Sequence, residues 1–213
     1  MPFPWDTLPN WIVGATVLCY WACVVVMIVR VSRKTRHVGR VVVPAQRIEQ
    51  LMWIVWTPLI VLWIATPFIA AQRSAWLGGW LAIWGADWYA APAMRLLAAG
   101  AAVACLAASI VCWRHMGKHW RMGVDPEQCG TLFTDGPFAY VRHPIYALSI
   151  LLMLATLVAV PNAVMLLLAI VHVTLMNLKA RNEERHLHTV YGASYREYCR
   201  RTGRFLPGSR RGA

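Results

Sequence analysis

Residues 146–178 read YALSILLMLATLVAVPNAVMLLLAIVHVTLMNL: 33 residues without Asp, Glu, Lys or Arg, interrupted only by Pro161-Asn162. An α-helix rises about 1.5 Å per residue, so a hydrocarbon core of about 30 Å takes about 20 residues to cross. The stretch is too long for one such helix and slightly short for two full spans. Proline removes a backbone donor and clashes with the preceding turn, so a helix does not run straight through Pro161. A helical hairpin turning at Pro161-Asn162 satisfies both limits. Its first arm can begin at Pro144, because proline suits the first helical turn. Its second arm can run past Leu178 into the polar residues 179–188 and out into water.

Three more apolar runs lie upstream. Residues 11–29 and 51–72 contain no charged side chain, and residues 96–113 form a third run rich in Ala and Gly. The composition agrees, with 59% hydrophobic and 14% charged residues; a soluble domain averages about 45–50% and about 25%. An ordinary soluble protein is excluded. The expected fold is all-α, a multi-pass transmembrane bundle of about five helices. Three spans fall in residues 1–128, and the hairpin with a polar C-terminal segment fills residues 129–213.

Basic residues orient the bundle, since Lys and Arg collect in short cytoplasmic loops. Six follow the first run (Arg30, Arg33, Lys34, Arg36, Arg40, Arg47), four follow the third (Arg114, Lys118, Arg121, Arg142), and nine lie from Lys179 onward. Only Arg73 and Arg95 remain, flanking a connection that carries Trp76, Trp80, Trp84 and Trp88. The expected topology therefore has the N-terminus outside and the C-terminus cytoplasmic, with the inner or plasma membrane as the location if the protein is bacterial. The net charge of +12 reads as a set of topology determinants facing anionic lipid. No aromatic-basic module accompanies it, so nucleic acid is not an expected partner. No Lys or Arg precedes residues 11–29, the pattern of an uncleaved anchor and not of a signal peptide. The cysteines form no CxxC pair, and His115 with His119 lacks further ligands, so neither a disulfide framework nor a metal site is expected.

Two polar clusters bracket the hairpin. The first contains Gly136-Pro137-Phe138 and Val141-Arg142-His143-Pro144-Ile145-Tyr146. The second contains Lys179, Glu183-Glu184, His186-Leu187, Tyr191-Gly192, Tyr195 and Tyr198. A hairpin returns to the side it left, so both clusters meet at the cytoplasmic surface. A polar site there, between apolar helix walls, suits a water-soluble cofactor and a lipid-borne substrate. Glu183 and Glu184 are about 100° apart around a helix, so one of them is expected to face the site. Lys179 stands four residues before Glu183, the spacing of a helical ion pair. His143 and Glu184 lie at a wet boundary, where losing a polar group leaves little unsatisfied, so folding is expected to tolerate their replacement.

In order and spacing, Gly-Pro-Phe, Val-Arg-His-Pro-x-Tyr, the Pro-broken hairpin, Glu-Glu-x-x-Leu, Tyr-Gly-x-x-Tyr-x-x-Tyr and a closing Arg-Phe-Leu-Pro are informative together. Over about the last 80 residues the chain resembles the isoprenylcysteine carboxyl methyltransferase and phospholipid methyltransferase superfamily. That resemblance implies an integral-membrane enzyme that moves a methyl group from S-adenosylmethionine to a lipid-like or prenylated acceptor. A carboxylate acceptor, as in isoprenylcysteine, is the favoured reading, and phospholipid N-methylation is the alternative. The resemblance further implies that Arg142, Glu184 and Lys179 serve catalysis. It places Leu132, His143, Pro144, Tyr146, Glu183, Glu184, His186 and Tyr195 around the cofactor. Where prenylcysteine enzymes tend to carry Arg four residues before the first Glu, this chain has Lys179, which lacks the planar fork that grips a carboxylate.

Two other classes are weighed. Membrane sterol reductases that use NADPH share this layout but usually show Asn where this chain has Ile145. A non-enzymatic subunit or transporter would carry charges inside its spans, and His172 is the only ionisable candidate there.

Overall fold

Every apolar run of the sequence is helical. The computed structural model describes residues 7–35, 46–72, 92–117 and 132–208. Its helices are α1 (Leu8–Thr35), α2 (Arg47–Ala71), α3 (Pro92–Met116), α4 (Pro144–Ala159) and α5 (Ala163–Arg201), with a short 3-10 helix at Gly136–Ala139 before α4. The Trp-rich connection, His119 and Cys129 lie outside the described residues. α1, α2, α3 and α5 are each long and apolar enough to cross a membrane, whereas α4, with 16 residues, is shorter. The chain is a multi-pass membrane protein.

The helices are apolar around their whole circumference because lipid, not water, covers their outer faces. Leu51, Ile54, Val61, Leu97, Leu167 and Ile170 project outward, while Val13, Val17, Trp63, Leu152, Met153 and Met165 are fully buried. Close helix approach in lipid depends on small side chains. α3 provides them as Ala98, Ala99, Ala102, Cys105, Ser109 and Cys112, and α3 on α4 is the most extensive packing in the bundle. Gly14 serves the same end on α1, where a Cβ would come within 3.0 Å of the Phe68 ring on α2.

The hairpin forms as its sequence implies. α4 starts at Pro144, the turn contains Pro161, and Asn162 caps α5 by accepting a hydrogen bond from the Met165 amide at 2.8 Å. A helix end leaves carbonyls without partners. Arg95 supplies one by donating from Nε to the Ala159 carbonyl at 2.9 Å, and another of its nitrogens donates to Asn10 Oδ1. One of the two basic residues off the majority pattern thus ties α1, α3 and the end of α4 together.

Few polar groups enter the core, and two pairs of them join helices. The Trp63 indole donates to Thr156 Oγ1 at 3.2 Å, and Ser149 Oγ lies 3.0 Å from His172 Nε2. α5 continues past Leu178, as expected, but breaks at Gly192. There φ is +52° and ψ −115°, a backbone region that only glycine enters cheaply. The break redirects the last turns of α5, with Tyr195 and Tyr198, back toward the start of α4.

Candidate functional site

The approach to α4 is held by tight local geometry. Gly136 has φ +55°, and a Cβ there would lie 2.8 Å from the His115 ring at the end of α3. The 3-10 turn therefore passes directly over α3, and the Tyr198 hydroxyl fastens it by donating to the Phe138 carbonyl at 2.6 Å. Proline at 144 keeps the preceding residue out of the helical region, and His143 has φ −125° and ψ 65°. Its ring stacks on Tyr146 one turn later, with centroids 5.3 Å apart and planes within 4°.

Beyond α5, residues 202–208 form a strap beside residues 141–143. The Arg142 amide donates to the Gly203 carbonyl at 2.8 Å, and the His143 amide to the Arg204 carbonyl at 3.1 Å. Gly203 has no room for a side chain, since a Cβ would sit 2.0 Å from the Leu206 carbonyl oxygen.

The adjacent carboxylates of α5 separate here. Glu183 accepts a hydrogen bond from the Tyr146 hydroxyl. Its Oε2 lies 3.6 Å from His143 Nδ1, and its Oε1 3.7 Å from Lys179 Nζ. Glu184 Oε1 accepts from Arg142 Nε at 3.1 Å, and both its oxygens accept from Arg204 Nε at 3.1 Å, with a further bond from Arg204 Nη2. Arg142 also donates to the carbonyls of Cys199 and Thr202. His143 Nε2 stands 3.4 Å from Glu184 Oε1 without forming a hydrogen bond. Hydrogen bonding to Glu184 pushes the Arg204 guanidinium up from its ordinary value, against the opposing effect of burial.

These groups surround a cavity of about 230 Å³. Among the residues singled out from the sequence, Leu132, Arg142, His143 and Pro144 line it from the α4 side, along with Tyr146. Lys179, Glu183 and Tyr195 line it from α5. Glu184 and His186 are not in its wall; Glu184 is turned to the two arginines, and His186 is half-buried outside. Ile145, in the position where reductases usually have Asn, also faces the cavity. Tyr195 is fully buried, and its hydroxyl has no hydrogen-bond partner of acceptable geometry among the described residues, with the Cys199 thiol beside it.

Several contributors were not read from the sequence. Tyr20, Trp21, Trp56 and Trp113, from α1, α2 and α3, form an aromatic wall of the cavity. Arg204 completes the Glu184 pair; its signal was its place in the Arg-Phe-Leu-Pro motif. Glu49, at the start of α2, lies 3.8 Å from Lys179 Nζ. Its signal was that of a lone carboxylate beside an apolar run.

Residues 94–194 match the family model of phospholipid methyltransferases. The matched segment runs from α3 through the hairpin to just past the break at Gly192, and it bears out the resemblance to the isoprenylcysteine and phospholipid methyltransferase superfamily. It supports a membrane methyltransferase acting on lipid, and that family implies S-adenosylmethionine as the methyl donor. No curated protein and no solved structure matches the chain.

Proposed function

With residues 94–194 as a phospholipid methyltransferase segment, we propose that this membrane protein transfers a methyl group from S-adenosylmethionine to the amine of a lipid head group. The cavity residues fit that donor. Glu183, beside His143, offers a carboxylate to an ammonium group. The faces of Tyr146 and the tryptophan wall suit a sulfonium cation. The buried Tyr195 hydroxyl, which makes no well-formed hydrogen bond among the described residues, is available to a ligand, and the backbone at Leu132 is assigned to the adenine. Arg142 and Pro144 shape the start of α4, and Glu184 acts on the site through Arg142.

When bound, the donor supplies a methyl group already activated by its sulfonium, so the protein's work is alignment and exclusion of water. The aromatic wall keeps water out. Burial at the membrane boundary favours the neutral form of an amine, the form with a lone pair to accept methyl. The residues from 129 onward supply the polar half of the site, and the earlier helices its apolar wall. The excess of basic residues supports a cytoplasmic position for this polar end, with the N-terminus outside.

One observation favours an amine over a carboxylate acceptor. A carboxylate needs a cation beside the methyl group, but Lys179 is shared between Glu49 and Glu183, and Arg142 is held by Glu184. The isoprenylcysteine reading, favoured by sequence, therefore becomes the second one.

The test is to incubate membranes containing the protein with methyl-labelled S-adenosylmethionine and then treat the products with base. An N-methylated lipid keeps its label, and mass spectrometry finds phosphatidylethanolamine heavier by one to three methyl groups. Label released as methanol would identify a methyl ester and restore the carboxylate reading. Binding of NADPH in place of S-adenosylmethionine would move the chain to the reductases.

A further inference from the structure

Four tryptophans are buried among the described residues: Trp21, Trp56, Trp63 and Trp113. Trp63 stands outside the cavity wall, and its indole donates to Thr156 Oγ1. The other three line the cavity, and none of their indole nitrogens has a hydrogen-bond partner among the described residues. A buried donor left unpaired is a net cost, and native structures carry few of them. Three on one cavity, beside a fourth indole that is paired, mark a place that a ligand completes.

The rings form a continuous band across α1, α2 and α3. Trp113 meets Tyr20 at 5.2 Å between centroids, Tyr20 meets Trp21 at 5.5 Å, and Trp21 meets Trp56 at 5.6 Å. Edge-to-face contacts such as Trp21 on Trp56, at 84°, offer an N–H only the weak acceptor of a ring face. An indole N–H donates, never accepts and carries no charge. It suits an oxygen that only accepts, such as a phosphodiester oxygen or an ester carbonyl. A membrane lipid with a head-group amine carries both kinds close to that amine. The S-adenosylmethionine carboxylate also only accepts. The groups assigned to that donor, however, lie inside residues 94–194, whereas Trp21 and Trp56 lie outside them.

We propose that Trp21, Trp56 and Trp113 form the subsite for the acceptor lipid, their indole N–H groups holding the oxygens that flank its amine. The inference rests on the lipid-amine reading above and deepens it. Ring faces then meet the sulfonium, and ring edges hold the acceptor. Fixing the oxygens fixes where the amine stands relative to the methyl group, which is the alignment the reaction needs.

The test is nuclear magnetic resonance of the full chain in detergent with isotope-labelled indole nitrogens. Signals are assigned with Trp21→Phe, Trp56→Phe, Trp113→Phe and Trp63→Phe. Short-chain phosphatidylethanolamine should move the three wall signals downfield and leave Trp63 in place. A dialkyl ether analogue keeps the phosphate and lacks ester carbonyls, so signals it still moves belong to phosphate and the others to carbonyls. S-adenosylmethionine alone should not reproduce these shifts. If it does, and lipid does not, the indoles serve the donor carboxylate and the inference is overturned. Signals moved by neither ligand overturn it as well, because ring faces then satisfy the indoles. In turnover, each wall variant should raise KM for the lipid about 2- to 12-fold, the equivalent of about 0.5–1.5 kcal/mol for one neutral hydrogen bond. Equal weakening of lipid and S-adenosylmethionine would mark a structural role and overturn the inference. If a variant does not fold, the wild-type signals decide, and none moved by lipid overturns it. Lipid shifts in protein that binds no S-adenosylmethionine would overturn the donor reading and leave this subsite standing. S-adenosylmethionine binding without lipid shifts overturns this inference only.

Discussion

Glu183 and Glu184 are successive residues of one helix, and they serve two regions built on different principles. Around Glu183 the Tyr146 hydroxyl bonds directly, while the nitrogens of the cavity wall stand off, Lys179 at 3.7 Å and His143 at 3.6 Å. Around Glu184 they are close and saturating, with Arg142 and Arg204 both bonding at 3.1 Å. A carboxylate engaged by two guanidiniums has little capacity left for a ligand. One beside a cavity, sharing a single ammonium with Glu49, retains it. The comparison separates binding from holding: Glu183 faces the cavity, and Glu184 joins α4, α5 and the C-terminal strap.

The sharpest way to break that division is to neutralise each carboxylate in turn. Glu184→Gln leaves two guanidiniums facing an amide, and removing one member of a buried ion pair costs about 3–5 kcal/mol. The expected result is a clearly lower melting temperature in detergent and rapid proteolysis within residues 202–208. Glu183→Gln should melt near wild type and lose donor affinity about 10- to 150-fold, the effect of about 1.5–3 kcal/mol from a charged hydrogen bond. If both variants melt alike and bind alike, the two regions are not distinct.

A smaller effect sharpens the holding side. Arg204→Lys keeps the charge but loses the fork that meets both Glu184 oxygens. It should cost about 1–1.5 kcal/mol, the scale of one ordinary hydrogen bond, visible as a modest drop in melting temperature. Donor affinity should follow only as far as the strap loosens. A variant as stable as wild type would mean that charge alone secures the strap.

How much of this was legible depended on distance along the chain. The hairpin was readable because its signals are local: an uncharged run of fixed length, Pro161 inside it and Pro144 before it. The meeting of the two polar clusters followed from that geometry, as did the expectation that only one glutamate faces the site. Which glutamate it is was not readable, because the answer lies in Arg204, twenty residues on, in a strap whose path is set by backbone pairing to Arg142 and His143. For the same reason the expectation that Glu184 is dispensable to folding gives way: a wet boundary in sequence is, in the structure, a carboxylate between two guanidiniums. Glu49 and the tryptophan wall were hidden for another reason. Helices that are apolar on every face carry no periodic signal of which face turns inward.

Tyr195 gives the smallest expected effect and the finest test of the binding side. Its ring is fully buried against Tyr198 and His188, with centroids 6.0 and 4.7 Å away. Its hydroxyl makes no well-formed hydrogen bond among the described residues. Replacing it by phenylalanine keeps the ring and removes only the oxygen. If the hydroxyl does nothing but sit buried, the change should leave stability equal or slightly higher, because an unsatisfied polar group is a net cost. If it completes the donor site, Tyr195→Phe should also weaken donor binding about 2- to 12-fold, the equivalent of about 0.5–1.5 kcal/mol for one neutral hydrogen bond. Unchanged or raised melting with weakened binding would place Tyr195 with Glu183, as a group whose partner is the ligand. Lower melting with unchanged binding would place it with Glu184, as part of the joint that holds the strap.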